Sequence, residues 1–121
     1  MIDHLSISVS DMTKARAFYD AVLATISAKR VMNVDDYASG YGTDRKPVFW
    51  IGADKPALNG HIAFAAPSRA IVDAFYKAAI AAGAKDNGAP GLRPHYHENY
   101  YGAFVIDPDG NRLEAVCHNP A

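Results

Sequence analysis

Apolar and polar residues alternate along the first stretch of the chain. Between residues 2 and 9, Leu5, Ile7 and Val9 fall on one face of an extended strand, and His4 falls on the other face. This alternation is typical of a strand that is buried on one side only. The pattern therefore predicts a half-buried strand whose polar face carries His4.

Apolar residues then recur at helical spacing, which predicts a helix capped by Ser10 or Asp11. The predicted buried stripe of this helix consists of Ala15, Phe18, Tyr19, Val22, Leu23 and Ile26. Because the stripe should pack on the apolar face of the first strand, His4 is expected to point away from the helix.

The strand and the helix are written twice in the chain. Residues 3–21 match residues 60–78 without a gap, so that His4 corresponds to His61, an offset of 57 (61 minus 4). An internal repeat of this kind predicts a duplicated unit, here two modules at about 1–55 and 56–121 of a single domain. Chance similarity between two amphipathic strand-helix units is the alternative.

The remaining elements complete each module. In the first module, residues 36–42 and 47–51 predict a hairpin with a polar turn at 43–46. In the second, the predicted elements are a strand at 60–66, a helix capped by Ser68 and ended by Gly83, a loop at 87–99, and a last hairpin of residues 100–106 and 112–118. Its turn is Asp107-Pro108-Asp109-Gly110-Asn111, in which proline and glycine preset a reverse turn.

Each module is thus a strand, a helix and two or three further strands. The predicted fold class is α+β, with two βαβββ modules whose sheets form an open, cup-shaped mixed β-barrel with the helices outside.

Composition narrows the range of partners. A chain of 121 residues that is 50% apolar can bury the core of one domain, and a net charge of −1 provides no basic surface for nucleic acid. The sequence has no apolar stretch long enough to span a bilayer and no signal-peptide pattern, and its single cysteine, Cys117, excludes an internal disulfide. We therefore expect a cytoplasmic protein whose partner is a small molecule, not a membrane.

A carboxylate on the last strand suggests a metal site. Leu113, Ala115 and Cys117 share the core-facing side of that strand, which sends Glu114 to the concave side. A divalent ion would compensate the lost hydration of this carboxylate, and His4 and His61 would complete a set that suits Fe, Mn, Ni, Co or Zn. The alternative is that the three residues only hydrogen-bond one another.

The loop that interrupts the repeat carries further candidates. His95 and His97 have the chemistry of an acid or base near neutral pH, Tyr100 and Tyr101 can donate to a substrate oxygen, and Arg93 can hold an anionic group. We assign catalysis to His97 and Tyr101. Substrate binding is assigned to Arg93, His95 and Tyr100, together with Phe49 and Trp50. The alternative is a surface loop whose aromatic residues pack at the rim of the barrel.

The two histidine strands, the repeated Ala-Phe-Tyr helices and the segment from Asp107 to Glu114 resemble the vicinal oxygen chelate superfamily, which includes glyoxalase I, extradiol dioxygenases, and fosfomycin- and bleomycin-resistance proteins. The resemblance implies a paired βαβββ fold in which His4, His61 and Glu114 hold a divalent metal that chelates two vicinal oxygens of a substrate. Glyoxalase I has a further glutamate opposite the residue that corresponds to Glu114. When the end strands of the two modules are aligned with each other, Phe49 takes the position of that glutamate.

Two functions follow from the resemblance. The first is a metal-dependent enzyme with lyase, isomerase, transferase or ring-cleaving oxygenase chemistry on a small substrate. The second is a non-enzymatic binder of the bleomycin-resistance type. The resemblance also implies a homodimer, and the sequence leaves open whether one site is built from one chain or shared between two.

Overall fold

The computed structural model describes residues 2–54 and 61–121, and within these ranges the chain forms two sheets and two helices. The first module comprises β1 (Leu5–Val9), α1 (Met12–Ala24), β2 (Lys29–Val34), β3 (Ala38–Gly42) and β4 (Phe49–Ala53). The second comprises β5 (His61–Ala65), α2 (Arg69–Ala81), β6 (Lys85–Asp86), β7 (Gly91–Leu92), β8 (Tyr101–Ile106) and β9 (Arg112–Cys117). The predicted first residue of the second strand, Gly60, lies outside the described residues.

The two sheets have matching strand orders. The first sheet runs β1-β4-β3-β2, and the second runs β5-β9-β8-β6 with β7 also paired to β8. In each, the strand before the helix pairs in parallel with the last strand of its module. The α+β architecture of two βαβββ modules is therefore confirmed, and so are the predicted antiparallel hairpins β3-β4 and β8-β9. Strands β2 and β6 were not predicted from the sequence, and β7 lies within the segment predicted as a loop at 87–99.

Both helices begin as their sequences predict, and α2 also ends as predicted, whereas α1 ends at Ala24, before the last residue of its predicted stripe, Ile26. The Asp11 side chain accepts a hydrogen bond from the backbone N–H of Lys14 at 3.1 Å, so Asp11 is the cap of α1. Ser68 accepts from the N–H of Ile71 at 3.2 Å and caps α2 in the same way. Gly83 follows α2 with a φ of +104°, a conformation that glycine adopts without strain and that ends the helix.

The core lies on the helix-bearing faces of both sheets. Helices α1 and α2 contact each other as well as the strands of their own modules. Phe49 of the first sheet belongs to the buried apolar cluster, and the partly buried Phe64 of the second sheet packs against it, with ring centroids 5.3 Å apart. The faces of the sheets that point away from this core, called the outer faces below, therefore lie on the outside of the chain.

The two sheets stay open towards each other, as the predicted open barrel requires. In the described part of the chain, β1 and β5 each lie at the edge of a separate sheet, and hydrogen bonds do not close the two sheets into one barrel. The apolar stripes of the two helices pack against each other and against the sheets of their own modules.

The turn at residues 107–111 fastens the second module to the first. Its backbone closes through a 3.0 Å hydrogen bond from the Gly110 N–H to the Asp107 carbonyl. The Asp107 Oδ2 atom accepts from the Tyr19 hydroxyl at 2.6 Å and from Asn111 Nδ2 at 2.8 Å. Asn111 also donates to the Ser8 carbonyl at 3.3 Å, so the predicted reverse turn is an intermodule clasp.

In the part of the chain that the structure describes, neither helix has the length and apolar character needed to cross a membrane.

Candidate functional site

Glu114 lies on the outer face of the second sheet. Its neighbours Leu113 and Ala115 belong to the buried core, and alternation along β9 turns Glu114 to the opposite side, as predicted. Despite that position its side chain is only 2% exposed. In the register of the sheet it stands between Ala63 of β5 and Phe104 of β8. The hydration that this buried carboxylate has lost must be compensated by polar partners.

Two side chains supply those partners, one to each carboxylate oxygen. The His61 Nε2 atom lies 2.8 Å from Oε1, and the Tyr100 hydroxyl donates to Oε2. Burial, and then the hydrogen bond to Glu114, raise the pKa of Tyr100, so this phenol keeps its proton. The His61 side chain is 48% exposed, so the pair of His61 and Glu114 can be reached from the surface on the His61 side. The arrangement can therefore hold a proton and accept a hydrogen bond from a ligand that approaches past His61.

The segment at residues 87–100, called the covering loop below, brings Tyr100 over the carboxylate. The backbone N–H of Arg93 donates to the Tyr100 carbonyl at 2.7 Å, and Asn99 turns the chain with a φ of +62°. The Arg93 guanidinium lies 5.3 Å from the centre of the Phe104 ring, and its Nη2 donates to the Ala89 carbonyl. These contacts hold the covering loop against the outer face of β8 and β9.

Two histidines lie beside Tyr100 at the rim of the site. The His118 ring meets the Tyr100 ring edge to face at 5.2 Å, and the His97 ring lies 5.8 Å from that of His118. The Nδ1 atom of His97 donates to the Glu98 carbonyl at 2.7 Å. The rings of His118 and Tyr100 thus lie between His97 and Glu114, and His97 does not contact the carboxylate directly. The predicted binding residue His95 is exposed, with its ring 4.3 Å from that of Tyr96.

Two residues predicted for the site lie on the core side of their strands. The Tyr101 hydroxyl donates to Asp73 of α2 at 2.6 Å, so this side chain lies on the opposite face of β8 from Phe104. Phe49 is 5% exposed and its ring packs 5.2 Å from that of Tyr19. The structure does not bring either of them to Glu114.

The strand register corrects the expected correspondence between Phe49 and Glu114. Ser6 pairs with Trp50 in the first sheet, and Ala63 pairs with Glu114 in the second. Ser6 and Ala63 are equivalent in the repeat, since 63 minus 6 is again 57. Trp50 is therefore the counterpart of Glu114, and the alignment on Phe49 was wrong by one residue, which exchanges the two faces of the strand.

His4 is placed apart from the other two proposed metal ligands. Its side chain is 59% exposed, and its Nδ1 atom lies 2.7 Å from a carboxylate oxygen of Asp3, which also pairs with Lys46. Within residues 2–54 and 61–121, no three His, Cys, Asp or Glu side chains are grouped so that they could hold a metal ion. One chain thus supplies the mixed nitrogen and oxygen pair of His61 and Glu114, which does not by itself fit a complete metal site.

An open cleft of about 380 Å³ adjoins His61 on the side of β1. Ser6 and Ser8 of β1 line one wall, and His61 and Arg112 line the other. A volume of this size is in the range of small-molecule sites. The region next to the His61–Glu114 pair is therefore large enough for a small ligand.

Phe104 was missed by the sequence analysis, although a signal for it was present. Its ring centroid is 6.2 Å from that of His61, and it stands directly opposite Glu114 in the hairpin. The hairpin turn at residues 107–111 was predicted correctly, and counting outward from it pairs Ile106 with Arg112 and then Phe104 with Glu114.

Comparisons with known proteins agree with the fold. A family model described as the Glyoxalase/Bleomycin resistance protein/Dioxygenase superfamily matches residues 1–115. No match was found among curated proteins. A glyoxalase/bleomycin resistance protein from Albidiferax ferrireducens T118 has a solved structure that is 30% identical, with a TM-score of 0.84 over 95% of this chain and 97% of that chain.

More distant solved structures share the fold alone. A lactoylglutathione lyase from Agrobacterium tumefaciens is 19% identical, with a TM-score of 0.72 over 97% of this chain and 92% of that chain. The fosfomycin resistance protein FosX from Mesorhizobium loti is 16% identical, with a TM-score of 0.71 over 97% and 91%. Because the family model spans nearly the whole chain, the chain belongs to the Glyoxalase/Bleomycin resistance protein/Dioxygenase superfamily.

Proposed function

We propose that the protein is a glyoxalase-like enzyme that acts, as a homodimer, on a small substrate with two vicinal oxygens. The observation that carries the proposal is Glu114, a carboxylate that is 2% exposed on the outer face and shared between His61 and Tyr100. Burying such a group costs stability, so its retention among apolar neighbours is better explained by chemistry than by folding.

The placement of the outer faces supports the proposal of a dimer. Within one chain the core occupies the helix-bearing sides of both sheets, so the outer faces cannot close on each other. A second copy related by two-fold symmetry would set the outer face of the first module against that of the second. The cup expected from the sequence would then form between two chains, with β1 and β5 at the shared edges.

The position of His4 fits this arrangement. It lies just before the edge strand β1, is mostly exposed, and presents Nδ1 to the Asp3 carboxylate, which leaves Nε2 turned to other partners. Histidines that bind metals commonly donate their second ring nitrogen to a carboxylate in this way. We propose that His61 and Glu114 hold a divalent ion together with His4 of the partner subunit. Such an ion would neutralise charge that develops on the substrate oxygens.

The residues of the chain have distinct tasks in this proposal. Glu114 and His61 hold the ion at which the substrate oxygens would bind, while Tyr100 donates to the second carboxylate oxygen and fixes its position. The covering loop excludes water from the outer face, with Arg93 packed on Phe104, and His97 lies at the rim with His118. We therefore propose that Arg93 and His97 contact the distal part of a substrate.

A non-enzymatic binder of the bleomycin-resistance type is the second candidate. The observation that favours it is that the described residues of one chain contain no group of three metal donors. The two functions differ in their need for metal. If protein stripped of metal with a chelator binds its ligand as tightly as the untreated protein does, the result would favour the non-enzymatic binder.

The test is metal analysis of protein purified without chelator. The wild type should retain about one divalent ion per chain, and Glu114→Gln, His61→Ala and His4→Ala should each lose most of it. Glu98→Gln, which changes an exposed carboxylate of the covering loop, is the matched control and should retain the metal. Equal metal content in the wild type and in all three site variants would refute the proposed site.

A further inference from the structure

The two modules differ at one position that the repeat makes equivalent. Strand pairing sets Trp50 beside Ser6 in the first sheet and Glu114 beside Ala63 in the second. On the neighbouring strand of each sheet, Gly40 pairs with Trp50 and Phe104 pairs with Glu114, so each sheet has a row of paired residues across its strands. The duplicated fold therefore presents a carboxylate on one outer face and an indole at the matching point of the other.

The indole of Trp50 is held flat against its sheet. A Cβ atom added to Gly40 would lie 3.0 Å from two atoms of the indole, Cε2 and Cζ2, and 2.6 Å from the Cβ of Pro47. Only a glycine leaves room for the ring at this distance from the backbone. Met32 follows Gly40 in the same row and is 47% exposed, which extends the apolar surface. The neighbouring Phe49 faces the core, so this surface looks outward.

We propose that this surface binds a planar aromatic ring of the ligand whose vicinal oxygens reach His61 and Glu114. The inference rests on the proposed function, because the proposed dimer would set Glu114 of one chain opposite Trp50 of the partner subunit. An indole face prefers an offset or edge-on aromatic partner, and the row of Trp50, Gly40 and Met32 contains no charge. The ligand class is thus an aromatic ring with two adjacent oxygen atoms, and aliphatic analogues bind more weakly.

Two hydroxamates provide a matched pair of probes. Benzohydroxamate and acetohydroxamate both present two vicinal oxygens and differ in a phenyl against a methyl group. Trp50 is the only tryptophan of the chain, so quenching of its fluorescence reports a ligand at this surface, and calorimetry gives the affinities. In the wild type, benzohydroxamate should bind about tenfold more tightly, which corresponds to about 1.4 kcal/mol.

Three variants separate the indole from the carboxylate. Trp50→Leu should reduce the preference for the phenyl probe to about threefold or less, and Trp50→Phe should keep most of it, since it retains an aromatic face. Tyr37→Leu alters another exposed aromatic residue, 59% exposed between β2 and β3, and should leave the preference unchanged. Glu114→Gln should weaken both probes by the same factor and preserve their ratio.

The results distinguish the inference from the function on which it rests. If both probes bind and Glu114→Gln weakens both, but Trp50→Leu keeps the tenfold preference or the wild type shows none, the aromatic surface is refuted and the proposed function stands. If neither probe binds the wild type, or if Glu114→Gln binds both as tightly, the proposed function fails and the inference fails with it. Thermal melts monitor folding, and Trp50→Phe keeps the test informative if Trp50→Leu unfolds.

Discussion

The hydrogen bond between Tyr19 and Asp107 should hold the two modules together. Tyr19 is 1% exposed and Asp107 is 3% exposed, and the hydroxyl donates to Oδ2 at 2.6 Å across 88 residues of sequence. Replacing Tyr19 by Phe removes this donor and leaves a buried carboxylate oxygen with the Asn111 amide as its remaining partner there. Losing a hydrogen bond to a charged group costs about 2 kcal/mol.

The expected change in melting temperature follows from the length of the chain. For 121 residues the entropy of unfolding is about 0.25 kcal/mol per kelvin near 60 °C, so a loss of about 2 kcal/mol lowers Tm by about 8 °C. Tyr76→Phe is the matched control, because Tyr76 is equivalent to Tyr19 in the repeat and its hydroxyl bonds the exposed Asp86 at 2.9 Å. Its Tm should fall by no more than about 2 °C.

Differential scanning calorimetry of the two variants and the wild type measures this difference. An unchanged Tm for Tyr19→Phe, or equal losses for Tyr19→Phe and Tyr76→Phe, would refute the role of the turn at residues 107–111 as a clasp between the modules. A second, lower transition confined to one module would instead support it, since the clasp would then be the link that couples them.

Two further predictions concern packing and pH. Gly40→Ala should destabilise the protein by about 1–3 kcal/mol in chemical unfolding, because the new methyl would lie 2.6 Å from Pro47. Gly52→Ala, where the nearest atom would be 3.6 Å away, should be tolerated, and equal losses would contradict the packing argument. Burial raises the pKa of Tyr19 and of Tyr41 above the ordinary value of 10.0, so stability should be full below pH 10.0 and fall as the pH rises above it. Tyrosinate absorbance followed with circular dichroism should show these two phenols ionising only as the chain unfolds, and ionisation of all seven tyrosines in the folded protein would contradict this.

Local signals in the sequence account for most elements and for the orientation of Glu114. The caps Asp11 and Ser68 and the glycine at residue 83 act within one turn of their helices, so the starts of both helices and the end of α2 could be predicted without tertiary information. Alternation along β9 has the same local character, and it placed Glu114 on the face opposite Leu113. Strand β2 is exposed along most of its length, which leaves no alternation to detect.

Features that depend on contacts between distant segments could not be predicted. The correspondence of Glu114 with Trp50 is set by pairing with β1 and β5, and an error of one residue in that register selected Phe49. The repeat placed His4 and His61 at equivalent points of two modules, but it does not specify which faces of the modules meet. That choice depends on the contact between α1 and α2 and on the clasp at Asp107.

Complementation between two variants that each bind little metal tests most directly whether one site is shared by two chains. His4→Ala and Glu114→Gln are purified separately, unfolded together in equal amounts and refolded, and the divalent metal bound per chain is measured. In a mixed dimer one site receives both substitutions and the other receives neither. Because half of the dimers are mixed, the account predicts recovery of about one quarter of the wild-type metal content, although each variant alone binds little. No recovery from a refolded mixture of normal dimer content would contradict the shared site.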